Sequence, residues 1–175
     1  TDIVEPYGFC MRQWRGQVHA ILIGKDGQAR QFVLSEGPDG APAAREVRRF
    51  AIGSIAEGCA IDTTWGGLFI SEETVGLWRY DLDPVSGDAR TLVQAADGVR
   101  LTADVEGAAI LNDMTGTYLI ASSQGDSAFA VWRLRGRETE WVGRFAVHAG
   151  DGVDAVTGTD GLDAHGAFGP FGEGL

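Results

Sequence analysis

The chain has 175 residues, with 14 Lys or Arg against 25 Asp or Glu, a formal charge of −11 and an isoelectric point near 4.6. That length suffices for one domain with a real core, while the charge excludes unaided attraction to nucleic acid or to anionic membrane surfaces. Its 26 glycines are about twice ordinary usage and lack a period of three, which excludes a collagen-like chain and predicts a turn-rich β protein.

The chain opens on "TDIVEPYGF", with no initiator Met and no basic-then-apolar signal segment, as expected of a mature domain or a cut piece. No apolar run nears the roughly 20 residues that cross a bilayer, "HAILIG" being the usual scale. From residue 7 the order is an opening strand "YGFCM", an apolar run "VHAILIG", a polar knot "KDG", an alternating strand "RQFVL" and a last strand "REVRRFAIG". The order recurs from 57 ("EGCAI", "GLFIS", "EETVG", "GLWRYDL", "ARTLVQA") and from 106 ("EGAAI", "TYLIAS", "SQGDS", "AFAVWRL", "EWVGRFAVH"). "TDGLDA" begins a fourth round. The opening glycines Gly8, Gly58, Gly107 and Gly161 are spaced by 50, 49 and 54 residues. Only "APAAREVRRF" is ambiguous between strand and helix; no other segment keeps a helical apolar period beyond two turns.

Four short strands per unit of about 50 residues is the pattern of propeller blades, which stack radially because one blade cannot bury both faces alone. The expectation is an all-β propeller of four-stranded antiparallel blades, at about 7–55, 56–104 and 105–158, with the start of another at 159–175. Three and a half blades are too few to close a ring, and "GPFGEGL" stops where an apolar strand should run, so the chain reads as roughly half of a larger ring. The rival is a self-contained four-blade or sandwich-like domain.

In a propeller the opening strands line the central channel, so the residue before each opening glycine recurs around one ring. That slot holds Tyr7, Glu57, Glu106 and Asp160. Asp104 lies two residues before Glu106, on the same face of an extended chain. Glu72 and Glu73 in a polar knot, and Asp154 in "DGVDAVTGTDGLD", extend the acidic cluster. Two carboxylates about 4 Å apart repel by roughly 4 kcal/mol at an effective dielectric near 20, and few basic residues lie near these positions. A hard divalent cation, bound by carboxylates and loop carbonyls, is the economical counter-charge.

At this point the chain resembles a known family. "YGFCM", "GKDG", "AEGCAID", "GLFISEE", "LTADVEG", "YLIASSQGDSAFAVW" and "TGTDGLD", in this order and spacing, look like the β-propeller phytases. The likeness runs along essentially the whole chain but covers only part of the family's length. It implies a six-bladed ring, of which this chain supplies about three and a half blades, and calcium-dependent removal of phosphates from phytate (inositol hexakisphosphate). It implies several Ca2+ ions held by Glu57, Glu73, Asp104, Glu106 and Asp160, the same acids serving catalysis by activating a water. Asp154 matches a position for a tighter, structural calcium, and Tyr7 and Lys25 match phosphate contacts. The family's early Asp-Asp-Pro motif and early basic contacts have no counterpart here, and Gly158 stands where an acid is often found. The resemblance further implies a secreted or periplasmic protein, monomeric as the full ring, with no nucleic-acid or membrane partner.

Other readings stay open. Glu57, Glu106 and Asp160 are also turn residues before glycine, Glu72 and Glu73 a solvated loop, Lys25 part of a type I′ hairpin, and Tyr7 a core aromatic. A non-catalytic, calcium-stabilised binding module and a calcium-dependent lactonase-like propeller are the functional rivals. Ser122, Ser123 and Ser127 lack a nucleophile elbow and are expected to organise a turn; Trp78 and Trp132 are expected in the core. His19, His148 and His165 show no metal spacing. Cys10 and Cys59 are offset by one relative to their glycines, which favours two buried thiols; a disulfide is the alternative in an exported protein.

Overall fold

The structure, a computed structural model, describes residues 4–166. Its twelve strands form three four-stranded antiparallel sheets. The first holds β1 (Pro6–Trp14), β2 (Gln17–Gly24), β3 (Gln28–Glu36) and β4 (Pro42–Ala51). The second holds β5 (Ala56–Asp62), β6 (Gly67–Glu72), β7 (Gly76–Asp81) and β8 (Arg90–Ala95). The third holds β9 (Val105–Asp113), β10 (Gly116–Ser123), β11 (Ala128–Arg135) and β12 (Glu138–Phe145). Each sheet pairs its strands in chain order, so the chain is a partial β-propeller of three blades. The ambiguous "APAAREVRRF" is strand: β4 pairs along β3 from Glu36↔Pro42 to Gln28↔Ala51.

The middle blade explains why its apolar run is continuous. Successive side chains of a strand point to opposite faces, and in β6 both faces are covered. Leu68 and Ile70 join Ile21, Ile23, Phe50, Ile52 and Tyr80 between the first and second blades. Phe69 joins Leu77, Leu101, Val105, Leu119 and Trp132 between the second and third. All six residues of β6 are accordingly buried. Trp132 is fully buried as expected, while Trp78 is half-buried against the first cluster.

The inner strands β1, β5 and β9 lie side by side, and the glycine near the start of each is a spacer. A Cβ on Gly8 would sit 2.1 Å from the Glu57 carbonyl oxygen, one on Gly58 2.0 Å from that of Glu106, and one on Gly107 2.6 Å from that of Asp160. Each glycine thus meets the acidic residue of the next unit, one residue short of its own equivalent. The same stagger brings Cys10 onto Cys59, 49 residues on, and the two form a disulfide with Cα atoms 5.7 Å apart. This corrects the expectation of two thiols: the offset that seemed to turn them apart is the offset between neighbouring inner strands.

The fourth round has little regular structure in residues 146–166, with one isolated bridge, Gly150–Val153; the stretch "GPFGEGL" lies outside the described residues. "SSQGDS" anchors this segment. Buried Ser122 donates to the carbonyl and hydroxyl oxygens of Thr159 at 2.5 and 2.8 Å, and Gly158 N donates to Ser127 Oγ at 3.0 Å. Ser123 donates to Asp126 Oδ1 at 2.7 Å within a short 3-10 turn, as befits residues that organise a turn.

Candidate metal centre

Glu57 on β5 and Glu106 on β9 occupy equivalent slots of adjacent inner strands, beside Tyr7 on β1. Glu73 enters from the β6–β7 turn. Its N–H donates to the Ile55 carbonyl at 3.1 Å, and its own carbonyl accepts from Val105 N at 2.9 Å, so its backbone is clamped between the approaches to β5 and β9. The consequence is convergence: carboxylate oxygens of Glu57, Glu73 and Glu106 all lie within 4.8 Å of one another. Three units far apart in sequence supply one small site.

The site is short of positive charge. Burial, then the carboxylates of Glu73, Glu57, Asp160 and Asp104, push the Glu106 carboxyl up to about 7. Burial likewise raises Glu73, with Asp104 and Glu57 adding to the shift and the Tyr7 hydroxyl and Lys25 opposing it. Tyr7 hydrogen-bonds Glu57 and Glu73; burial and the surrounding negative charge push its phenol far above its ordinary range, so it stays a donor. Lys25 Nζ sits 5.3 Å over the Tyr7 ring and 3.0 Å from Glu5 Oε1, so its charge is partly engaged before it reaches the cluster. Glu5 is a residue that sequence reasoning missed; nothing in its spacing sets it apart from other exposed acids.

Two oxygens decide what the arrangement can hold. Glu73 Oε1 and Glu106 Oε2 are buried and accept no hydrogen bond among the described residues. Buried acceptors without partners are rare in folded proteins. An all-carboxylate donor set, with no histidine or cysteine in it, suits a hard cation such as calcium. The residues therefore fit the ion that the sequence reading calls for. A cavity of about 290 Å³ opens beside them, lined by Tyr7, Gly8, Glu57, Gly58, Gly107 and Gly161 among others.

The remaining candidates stand at different distances. Asp104 is half-buried just before β9, and Asp160 is exposed; both act on Glu106 electrostatically without joining the tight group of three. Asp154 is exposed and outside that group. Glu72 is neither a member of the cluster nor a solvated loop residue. It points the opposite way from Glu73, is buried, and accepts from Ser54 Oγ at 2.6 Å and Trp78 Nε1 at 2.7 Å, with Arg90 at 3.6 Å. Consecutive strand residues face opposite sides, and the second side belongs to the interface between the first two blades. His19 is likewise structural: it is buried against Gln31 Nε2 at 3.0 Å, and desolvation lowers its pKa.

A family model described as Phytase matches residues 1–174. The chain belongs to the Phytase family. The 3-phytase of Bacillus subtilis (strain 168) is 35% identical to it over 169 residues, which make up 95% of this chain and 44% of that protein. The chain therefore spans under half the length of that relative.

Proposed function

We propose that this chain forms part of a calcium-dependent phytase, in which Glu57, Glu73 and Glu106 hold metal above the inner strands. The observation that carries the reading is the convergence of three carboxylates with two buried, unpartnered oxygens, in a member of this family. Bound calcium supplies charge that clamps phosphate oxygens and lowers the pKa of a coordinated water.

The chain's own residues do the positioning. Glu57 and Glu73 are oriented by the Tyr7 hydroxyl, which remains protonated and lies against the 290 Å³ cavity. Glu106 is held by the backbone contact between its carbonyl and Gly58. Asp104 and Asp160, at the rim, serve further ions or their water ligands, and Asp154 serves a separate structural calcium. Lys25 exchanges Glu5 for a phosphate oxygen, adding a point charge that substrate meets on entry. Phytate is heavily anionic and the chain carries −11, so substrate binding depends on this cation-mediated reversal of sign.

The proposal includes the six-bladed, monomeric ring and an exported location. The Cys10–Cys59 disulfide supports the latter, since such bonds persist in oxidising compartments. Among the described residues no helix is long and apolar enough to cross a membrane.

The test is phosphate release from phytate, with calcium titrated in and then chelated, on this chain and on a version extended to the length of the Bacillus subtilis relative. Calcium-dependent release by the extended protein supports the reading. Saturable calcium binding without phosphate release by the extended protein would replace it with a calcium-stabilised binding module.

A further inference from the structure

The groove between the second and third blades holds a cavity of about 190 Å³, lined by Arg79, Asp81, Ser86, Arg90, Thr91 and Arg137 among others. These residues come from β7, β8, the turn before β8 and the β11–β12 turn, none of which contributes a carboxylate to the metal cluster. Three arginines at one cavity are notable in so acidic a chain, and two of them are already matched. Arg137 pairs with Asp81 at 2.5 Å. Arg90 lies 3.6 Å from Glu72, stacks on Trp78 and donates to the Ile52 carbonyl.

Arg79 is different. It is only 8% exposed, and its Nη2 is buried with no acceptor among the described residues. Asp81, which also lines the cavity, and Asp62 act on it electrostatically, but neither accepts a hydrogen bond from Nη2; the Asp62 oxygens accept from Thr64 N at 2.9 Å and Trp65 N at 3.2 Å. Arg137 is close enough to repel it. A buried guanidinium nitrogen without an acceptor is costly, and here Arg79 borders a cavity with room for a small ligand. Ser86 and Thr91, which also line the cavity, carry hydroxyls that can serve as neutral donors. Guanidinium forks and hydroxyls arranged around one small space match an anion with several oxygens rather than a halide.

We propose that this groove binds a tetrahedral oxyanion, either free phosphate or a single phosphoryl group, through Arg79, Arg137 and the hydroxyls of Ser86 and Thr91. The proposal does not rest on the function assigned to the carboxylate cluster, and it holds in the absence of calcium. The anion completes the hydrogen bonds of Arg79 and relieves its repulsion with Arg137.

The experiment is calorimetric titration of inorganic phosphate into the chelator-treated chain, with sodium chloride at matched ionic strength as the blank. Expected is saturable binding at one site, weakened at least about tenfold by Arg137→Gln, the loss of one charge-assisted contact. Arg79→Gln abolishes it; should that variant not fold, exposed Arg137 decides alone. Phytate displacing phosphate assigns the site to a phosphoryl group on a larger ligand, and phosphate binding that phytate leaves untouched assigns it to the free anion. No saturable binding of either, or equal affinity in wild type and Arg137→Gln, overturns the proposal.

Discussion

Replacing Glu106 with Gln gives the sharpest test of the metal centre, because it should stabilise the metal-free protein and weaken the metal-bound one. Glu106 is 6% exposed, and its carboxyl is pushed from 4.5 to about 7. A carboxyl that holds its proton more tightly when folded makes the folded state the greater proton binder between those two values. Stability must therefore fall as pH rises from about 4.5 through 7 and level off above it. At roughly 1.4 kcal/mol per pKa unit, the loss at pH 8 comes to about 3 kcal/mol. Glutamine keeps the shape and removes the titration, and it also relieves Glu57 and Glu73 of a like charge. In chelator at pH 8 the variant should melt above wild type by roughly 6–12 °C, given 2–4 °C per kcal/mol for a chain of this size; near pH 4.5 the two should nearly coincide. With calcium added, wild type should gain more than the variant, and the order should narrow or invert. Thermal melts followed by circular dichroism across pH 4.5–8, with and without calcium, read all of this. If Glu106→Gln is less stable than wild type at pH 8 in chelator, or its stability shows the same pH slope, the carboxylate is not buried among like charges and the argument fails.

The adjacent acids Glu72 and Glu73 should separate cleanly: Glu72→Ala breaks a buried pair with Arg90 at a cost of about 3 kcal/mol while leaving calcium affinity intact. Glu73→Gln should do the reverse, and calcium titration alongside urea unfolding distinguishes the two. Gly58→Ala places a methyl 2.0 Å from the Glu106 carbonyl oxygen, so the inner strands must part. It should cost about 1–3 kcal/mol and lose most of the calcium-induced rise in melting temperature, whereas Gly161→Ala, with nothing within 4 Å, should change neither. Removing the disulfide as Cys10→Ser with Cys59→Ser opens a loop of 49 residues. It should cost about 4 kcal/mol on the chain-entropy account, checked by denaturant unfolding beside the reduced wild type.

Much of the fold was legible because it repeats. The recurrence of Gly8, Gly58 and Gly107 reports a spacing that each blade must satisfy against the next, and the structure sets all three against a neighbouring carbonyl. The even alternation in "AFAVWRL" and the unbroken apolar run in "GLFIS" likewise announce strands buried on one or both faces. The convergence of Glu57 and Glu106 followed from their shared slot. Glu73 was legible as an acid in a polar knot, and only the family resemblance set it apart from Glu72; their shared charge could not, since only the facing of the strand end tells them apart.

Chain order, strand content and the recurrence of an acidic slot follow from local chemistry, because periodicity and glycine spacing act within each unit of about 50 residues. The stagger between units does not. A side-by-side offset of one residue is set by how neighbouring inner strands pack against each other, and no single unit encodes it. That offset joined Cys10 to Cys59. Packing between blades also turned Glu72 into a buried partner of Arg90 while leaving Glu73 beside Glu57 and Glu106. It left Arg79 Nη2 buried without an acceptor among the described residues. Each outcome depends on which neighbour a side chain meets, and neighbours from other units exist only once the blades are assembled.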